Sequence, residues 1–326
     1  MSDYALLYQM VKEKGLFEKD IKPYLAELGL AFGLYTVMIA IIIFSPSGLL
    51  CLFVTAGIFS LGQVRIGLLG HDATHYQIFD SKKLNHLAAF IMWNLGLGLS
   101  HLWWEHQHGL HHDHPNNIDL DPDMDRPFLA YSPEQLKNKG PIQKLLIKHQ
   151  AYLYFLFMML GLLVSRFYNI HFLVKNKNIK YRLLEIVGIT THTLIYFILI
   201  ISVFGLRNGI IFTATYHAIA GLLFGLLFAP NHKGMPTIKA NTVIDPLQAQ
   251  IITSRNIKSN TLTNFLYGGL NYQIEHHLFR NMPRHKLRTA RSIIKPFRNN
   301  NDIYYHETGI CQSFKEIFSG LKIIDN

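Results

Sequence analysis

Two cysteines in 326 residues, Cys51 and Cys311, exclude a disulfide framework and any metal site built on thiolates. Charge is scarce as well. Asp, Glu, Lys and Arg make up 16% of the chain, well under the roughly 25% of a typical soluble domain. Apolar residues make up 49%, mean hydropathy is +0.16 and the apolar residues gather in long runs, so membrane residence is the first inference. No cleavable leader is legible, because the first 25 residues are mixed and polar and the first apolar run is too long and begins too late. No internal repeat, low-complexity tract or soluble linker marks a boundary, so residues 1–326 read as a single domain. The basic residues flank apolar runs and form no patch interleaved with aromatics, which leaves no nucleic-acid partner. The net charge of +10 reads first as Lys and Arg holding the cytoplasmic side of a membrane protein, with an acidic partner or acidic lipid headgroups as the alternative.

What is present, then, is a set of apolar stretches. Six stand out: 28–44, 49–69, 84–104, 152–167, 183–204 and 209–229. A spanning helix needs about 20 apolar residues. Lys12, Lys14, Lys19 and Lys22 precede the first stretch and place the N-terminus in the cytoplasm. Ser45–Gly48 ("SPSG") and Gly205–Gly209 ("GLRNG") read as short outer turns of two hairpins. The basic segment Arg166–Arg182 belongs in the cytoplasm, and parity then requires that 84–104 and 152–167 do not cross. The expected fold is therefore an all-α membrane protein. It has four transmembrane helices in two hairpins, two interfacial or re-entrant helices, and a cytoplasmic helical cap running from Lys233 onward.

Eighteen histidines against 21 acidic residues is an unusual ratio, and it points to metal or proton chemistry. "HDATH" places His71 and His75 at i and i+4, on one face of a helix. "HGLHH" places His108, His111 and His112 at i, i+3 and i+4, with Pro115 ending the run. "QIEHH" repeats that spacing with Gln273, His276 and His277, and His232 follows directly after the last apolar stretch. All four groups fall on the predicted cytoplasmic face. Eight histidines exceed the four to six ligands of one ion, so two ions are implied. Imidazole suits Zn, Cu, Fe and Ni, and a nitrogen-rich dinuclear site at a membrane points to redox iron. A zinc hydrolase has no H-E-x-x-H motif to stand on. A metal transporter would carry its histidines at midplane, inside the spans.

These clusters resemble the three histidine boxes of the membrane fatty acid desaturase family, HxxxH, HxxHH and [HQ]xxHH. The context "WWEHQHGLHHDHPN" and "EHHLFRNMPRHKL" is similar too, and the resemblance runs from about His71 to Leu287. It implies four membrane helices beneath a cytoplasmic cap. The cap would hold a di-iron centre that uses O2 to take two hydrogens from an unactivated acyl chain. The implied ligands are His71, His75, His108, His111, His112, His276 and His277, with His232 in the place of the extra histidine after the last span. Gln273 stands where many members carry a ninth histidine, so it is a further candidate metal ligand through its carbonyl oxygen or a bound water, and glutamine there resembles the front-end desaturases. Many of those carry a fused cytochrome b5 domain. No His-Pro-Gly-Gly haem motif occurs here, so a separate electron donor such as ferredoxin or cytochrome b5 is expected. The substrate is expected to be an acyl chain linked to CoA, a carrier protein or a glycerolipid. The protein is expected in a membrane, the inner one if bacterial, with its site on the cytoplasmic face. Hydroxylases, acetylenases and carotenoid-modifying enzymes share the scaffold and remain the alternative.

Other residues carry weaker signals. Asp72 and Glu275 sit inside boxes and read either as hydrogen-bond partners of ligand imidazoles or as surface ion pairs. Trp103 and Trp104 read as interface anchors. Arg65, beside Gln63 near the cytoplasmic end of its span, reads as snorkelling. His192 and His217 read as satisfied interhelical hydrogen bonds, and His285 as a candidate partner of a ligand. The Asp-rich run Asn116–Pro127 lacks the Gly and closing Glu of an EF-hand and reads as a solvated loop.

Overall fold

The computed structural model describes residues 2–44, 48–300 and 304–323. Its α-helices are α1 (Asp3–Glu13), α2 (Lys22–Phe44), α3 (Leu49–Thr74), α4 (Lys82–Phe90), α5 (His101–Asp113), α6 (Pro141–Lys148), α7 (Gln150–Lys175) and α8 (Arg182–His232). They continue with α9 (Pro246–Ile252), α10 (Thr261–Tyr267), α11 (Gln273–Leu278), α12 (Leu287–Asn300) and α13 (Ile310–Ile323). Two three-residue strands, β1 (Arg255–Ile257) and β2 (His306–Thr308), pair in parallel with Asn256 opposite Glu307. The chain forms two compact units. One holds residues 1–18, 107–155 and 227–326, and the other holds 19–106 and 156–226.

In the second unit, four helices contribute residues long and apolar enough to cross a bilayer by length and composition: α2, α3, α7 and α8. At about 1.5 Å per residue, the 51 residues of α8 are far longer than a bilayer core of about 30 Å. Gly205, at φ +71°, breaks it into two arms, 182–204 and 206–232. A side chain would strain that backbone, so glycine is needed there. The expected turn at Gly205–Gly209 thus shrinks to a kink, and Ser45–Ser47 of the other expected turn lie outside the described residues. The side chains of α2 that face outward are large and apolar, among them Phe32, Ile39 and Ile43, as a lipid-facing helix requires.

Two of the expected elements differ. The stretch 152–167 was expected to lie in the interface, but it belongs to the 26-residue α7, long and apolar enough to cross, because the helix continues past Arg166 and Asn169. Arg166 is kept inside by donating to the carbonyls of Leu97 and Gly98 at 2.9 and 3.0 Å and to His217 Nε2 at 3.1 Å. The stretch 84–104 is no continuous helix. It divides into α4, a π-helical segment Ile91–Leu97, and the start of α5, with Gly98 in the left-handed region between them. Asn94 accepts from the His101 amide and, with Ser100, bonds the buried Glu185, so the start of α5 is tied down inside this unit. The core of the unit packs small residues against rings: Ala56, Ala73, Ala89 and Ala220 against Trp93, Phe212 and Tyr216. At Gly221 a Cβ would lie 2.6 Å from the Met159 carbonyl oxygen, so α7 and α8 approach through glycine.

Several single-residue expectations resolve here too. Arg65 does not snorkel. It is 3% exposed and pairs with Glu27 at 3.5 Å. Trp103 is buried and Trp104 stacks on Trp93 at 4.4 Å, so neither is an interface anchor. His192 Nδ1 donates to the Leu95 carbonyl at 2.9 Å, a bond between elements as expected, whereas His217 Nδ1 donates to the Thr213 carbonyl at 2.8 Å within its own helix and its interhelical bond is the one it accepts from Arg166.

In the first unit, Leu7 and Val11 of α1 pack against Leu247, Ile251, Ile274, Leu278, Leu287 and Ile294. Arg255 of β1 is fully buried. It donates to the carbonyls of Pro230 and Lys233 at 2.7 Å each and pairs with Glu316 of α13. A buried guanidinium requires such partners, and they fix β1 beside α11, the helix that matters most below.

Candidate metal centre

Helix α5 carries "HGLHH" and α11 carries "QIEHH". Successive residues on a helix are about 100° apart, so an adjacent histidine pair cannot aim both rings at one point. The first unit uses that divergence. His111, His232 and His277 form one trio, and His108, His112 and His276 belong to a second; within each, the ligand nitrogens lie within 4.8 Å of one another. Each helix sends one member of its pair to each trio. All six rings are buried.

α11 has only six residues, far below the roughly 12–15 at which an isolated helix becomes marginal. Tertiary bonds hold it. Asn256 of β1 accepts from the Ile274 amide at 2.9 Å and donates to Glu275 Oε2 at 2.7 Å, and the Tyr305 hydroxyl donates to Glu275 Oε1 at 2.5 Å. Glu275 therefore anchors the backbone that carries His276 and His277, and its carboxylate meets Asn256 and Tyr305 rather than an imidazole. Burial raises its pKa to about 7, against the lowering pull of its two partners.

In the first trio each ring is oriented through Nδ1. His111 Nδ1 faces Asp121 Oδ2 at 2.9 Å, His232 Nδ1 faces the Thr253 carbonyl at 3.1 Å, and His277 Nδ1 faces Gln250 Oε1 at 2.9 Å. Each oxygen accepts the Nδ1 proton, so the Nε2 lone pairs are left for a ligand. His111 Nε2 and His232 Nε2 stand 3.4 Å apart, and the buried His277 Nε2 has no hydrogen-bond partner among the described residues. In the second trio, His112 Nε2 lies 3.1 Å from both His108 Nε2 and His276 Nε2. Ring nitrogens at such distances fit the edges of a coordination sphere whose metal–nitrogen bonds are about 2.0–2.1 Å. The donor set is nitrogen throughout, which suits a first-row transition metal.

Electrostatics keep His108, His232 and His277 neutral in the metal-free chain. Burial and then His111 push His108 down to about 3, and burial with His232 holds His277 well below its usual range. His111 is the exception. Burial is the largest single influence and lowers its pKa, but Asp121 and Asp123 together outweigh it and raise the pKa.

In the second unit, α3 continues through Thr74 and presents His71 and His75 one turn apart, both buried, with ring centroids 4.6 Å from each other. His71 Nδ1 meets Asp72 Oδ1 at 3.1 Å, so Asp72 does partner a boxed imidazole.

Gln273 is buried and sits beside the first trio. Its Nε2 lies 2.9 Å from His232 Nε2, and its Oε1 accepts from Asn231 at 3.0 Å. His285 is exposed and is not placed with either trio. The Asp-rich run is only partly solvated. Asp121 is 2% exposed, accepts from the amides of Asn116 and Asp123, and orients His111. Asp121, Gln250 and Thr253 were not found from sequence. Composition separates none of four aspartates in one run, and Gln250 carries no motif. Gln250 also donates to the His112 carbonyl at 2.8 Å, which ties α9 to the end of α5.

Comparison with known proteins gives this arrangement its context. The profile of the fatty acid desaturase family matches residues 45–309, most of the chain. The acyl-lipid (9-3)-desaturase of Physcomitrium patens is 29% identical over 99% of this chain and 62% of its own length. The Delta(5) fatty acid desaturase fat-4 of Caenorhabditis elegans is 30% identical over 74% of this chain and 56% of its own. The Delta(6)-fatty-acid desaturase fat-3 of the same animal is 30% identical over 77% and 60%. The chain thus spans somewhat more than half the length of these curated relatives. With a profile match of that extent over a helical frame bearing buried histidine trios, the chain belongs to the fatty acid desaturase family.

Proposed function

We propose that this protein is a membrane-bound, O2-dependent acyl desaturase of the front-end type. Its two iron ions would be held by His71, His75, His108, His111, His112, His232, His276 and His277. The observation that carries this reading is the first trio, in which three buried rings are turned by Asp121, Thr253 and Gln250 so that Nε2 remains for a metal. The relatives' names support the position of attack. Delta(5) and Delta(6) count from the carboxyl end, and those are the positions of front-end enzymes. Iron, when bound, supplies the oxidising chemistry that removes two hydrogens from an unactivated carbon pair while O2 is reduced to water.

The chain's own contributions follow from the geometry. The anchoring oxygens keep the rings in one tautomer, so the metal-binding nitrogens require no reorganisation. Burial of the trios excludes water, which an oxidant strong enough to break such C–H bonds requires. Gln273 contacts His232 and is placed to adjust the first ion's surroundings through its amide. The apolar spans seat the acyl chain, whose carboxyl end is carried by CoA, a carrier protein or a glycerolipid. Each turnover needs two electrons and two protons besides O2 to make two waters, so a separate donor such as ferredoxin or cytochrome b5 completes the reaction. The site is assigned to the cytoplasmic face of the membrane, consistent with the basic residues that flank the spans. Four spans in two hairpins remain our assignment, formed by α2, α3 and the two arms of α8; α7 is long enough to cross, and it is kept at the interface with α4 only because the basic segment Arg166–Arg182 then stays on the side of the N-terminus.

Expression in a host that lacks polyunsaturated acids, with profiling of its lipids, tests the proposal. A new double bond between an existing one and the carboxyl end is the expected result. A new hydroxyl, or a new triple bond, would instead place the chain with the hydroxylases or acetylenases. Purified protein containing zinc and no iron would end the di-iron reading.

A further inference from the structure

A second group of metal-competent side chains lies in the other unit, and the proposed reaction does not use it. His86 of α4, His101 and Glu105 of α5, and Tyr76 just beyond α3 come together there. His86 Nδ1 is 3.2 Å from His101 Nε2, and His101 Nε2 is 3.9 Å from Glu105 Oε2; the three ligand atoms lie within 4.8 Å of one another. The Tyr76 hydroxyl lies 3.2 Å from His86 Nε2 and 3.4 Å from Glu105 Oε1.

We propose that His86, His101 and Glu105 form a mononuclear site for a divalent transition-metal ion of the zinc class, distinct from the boxed histidines. The distances suit it. A tetrahedral ion with bonds of about 2.0–2.1 Å has ligand–ligand edges of about 3.3 Å. The two imidazole nitrogens are already at that separation. The carboxylate needs to close by roughly half an ångström, and at 34% exposure its side chain has room to do so. His101 and Glu105 share a helix face at i and i+4, and the turn around Gly98 brings His86 to them from the preceding helix.

For His86, Tyr76 and Glu105 the protons also close, while His101 Nδ1, which would carry that ring's proton, is buried with no hydrogen-bond partner among the described residues. With an ion on His86 Nδ1, the ring proton sits on Nε2 and is donated to the Tyr76 oxygen. The Tyr76 hydroxyl then donates to Glu105 Oε1, leaving Oε2 for the metal. One phenol would thereby orient two ligands, as outer partners do in metal sites. Tyr76 holds a left-handed backbone, at φ +55°, which is uncommon for a residue other than glycine and keeps its ring edge-on against His86. Two imidazoles and one carboxylate favour zinc or ferrous iron over calcium or magnesium. Three protein ligands leave a position for water. The ion would clip α4 to the first turn of α5, the helix that carries His108, His111 and His112.

The test uses the full chain in detergent, loaded with iron and then titrated with Co2+ as the probe. Metal per chain is counted by mass spectrometry, and the d–d absorption of cobalt is recorded. Wild-type protein should take up one Co2+ beyond its iron. His86→Ala, at an exposed ring, and Glu105→Gln should lose that ion at micromolar cobalt while keeping the same iron content. Tyr76→Phe should weaken it by about 10–100-fold. Absence of extra cobalt in the wild type, or equal uptake by wild type and His86→Ala, overturns the proposal and leaves a plain Tyr–His–His hydrogen-bonded network. The comparison with His86→Ala holds even for a chain that carries no iron, so it is decided independently of the di-iron reading.

Discussion

Helices α5 and α11 carry the same histidine spacing on different supports. α5 has 13 residues and begins in a buried network, whereas α11 has six and is wedged between β1 and the rest of its unit. Position by position, His108 corresponds to Gln273, Leu110 to Glu275, His111 to His276 and His112 to His277. In both, the adjacent histidines part company, one to each trio. The shared spacing therefore divides the rings between two clusters, which under the proposed function is a division of ligands between two ions, and the differing positions encode how each helix is held. α5 has length to hold it, and apolar Leu110 suffices at the middle of its box. α11 substitutes a buried carboxylate with two fixed partners.

The sharpest way to break this comparison is to remove one ring from each trio. His112→Ala and His277→Ala should both abolish product formation, each with the loss of one iron per chain, counted by mass spectrometry after purification. If His277→Ala lost both irons and His112→Ala none, the division between trios would be wrong.

Glu275→Gln comes next and acts on α11 alone. The folded carboxyl titrates near 7, against 4.5 for an ordinary glutamate. Between those values the folded chain holds a proton that the unfolded chain has released. Unfolding free energy therefore falls as pH rises through that window, by up to about 3 kcal/mol at pH 8. The amide of the variant cannot ionise, whereas the buried histidines titrate alike in both proteins, so the difference in melting temperature between variant and wild type should shift in the variant's favour from pH 5 to pH 8. Thermal unfolding of both in detergent checks this, and a difference that is the same at pH 8 as at pH 5 would refute it.

How much of this could be read beforehand depends on what each feature is made of. Box spacing and apolar length are local in sequence, so the histidine clusters and the long apolar helices α2, α3 and α8 were legible. α7 was cut short at Phe167 because Arg166 and Asn169 interrupt its apolar count. Their partners, the Leu97 and Gly98 carbonyls and the Ser100 amide, are some 70 residues away in the chain. Asp121 was hidden for a similar reason. Only the fold shows which aspartate of the run turns inward to His111.

His111 is oriented by a carboxylate and His277 by the neutral amide of Gln250. Charge-assisted hydrogen bonds are roughly twice as strong as neutral ones. Asp121→Asn should weaken metal binding by about 10–100-fold, and Gln250→Ala by less, in competition with a chelator at pH 8. The pH response should also differ. In the metal-free wild type His111 takes up its proton at a higher pH than an ordinary histidine, so acid displaces metal there first. Without Asp121 that proton binds less readily, and the acid limb of metal release should move to lower pH even though affinity at pH 8 is reduced. Retention curves that coincide for wild type and Asp121→Asn would mean that the carboxylate merely fills space.

The smallest effect is expected where the two boxes differ most visibly, at Gln273. Its amide bridges Asn231 and His232, so it acts on the first trio only through His232 and whatever lies at its Nε2. Replacing it by histidine makes α11 match α5, but imidazole cannot reproduce both amide bonds. It can either donate to His232 or accept from Asn231 through nitrogens set at different angles. Gln273→His should therefore keep its fold and both irons and lose only about two- to tenfold in turnover, the scale of one neutral hydrogen bond of about 0.5–1.5 kcal/mol. The informative readout is the product's double-bond position together with the spectrum of the bound iron. A changed iron spectrum with unchanged products would make Gln273 a tuning residue of one ion. An unchanged spectrum and rate would mean that the glutamine is simply tolerated in the place of a ligand, and that the two boxes differ in support alone.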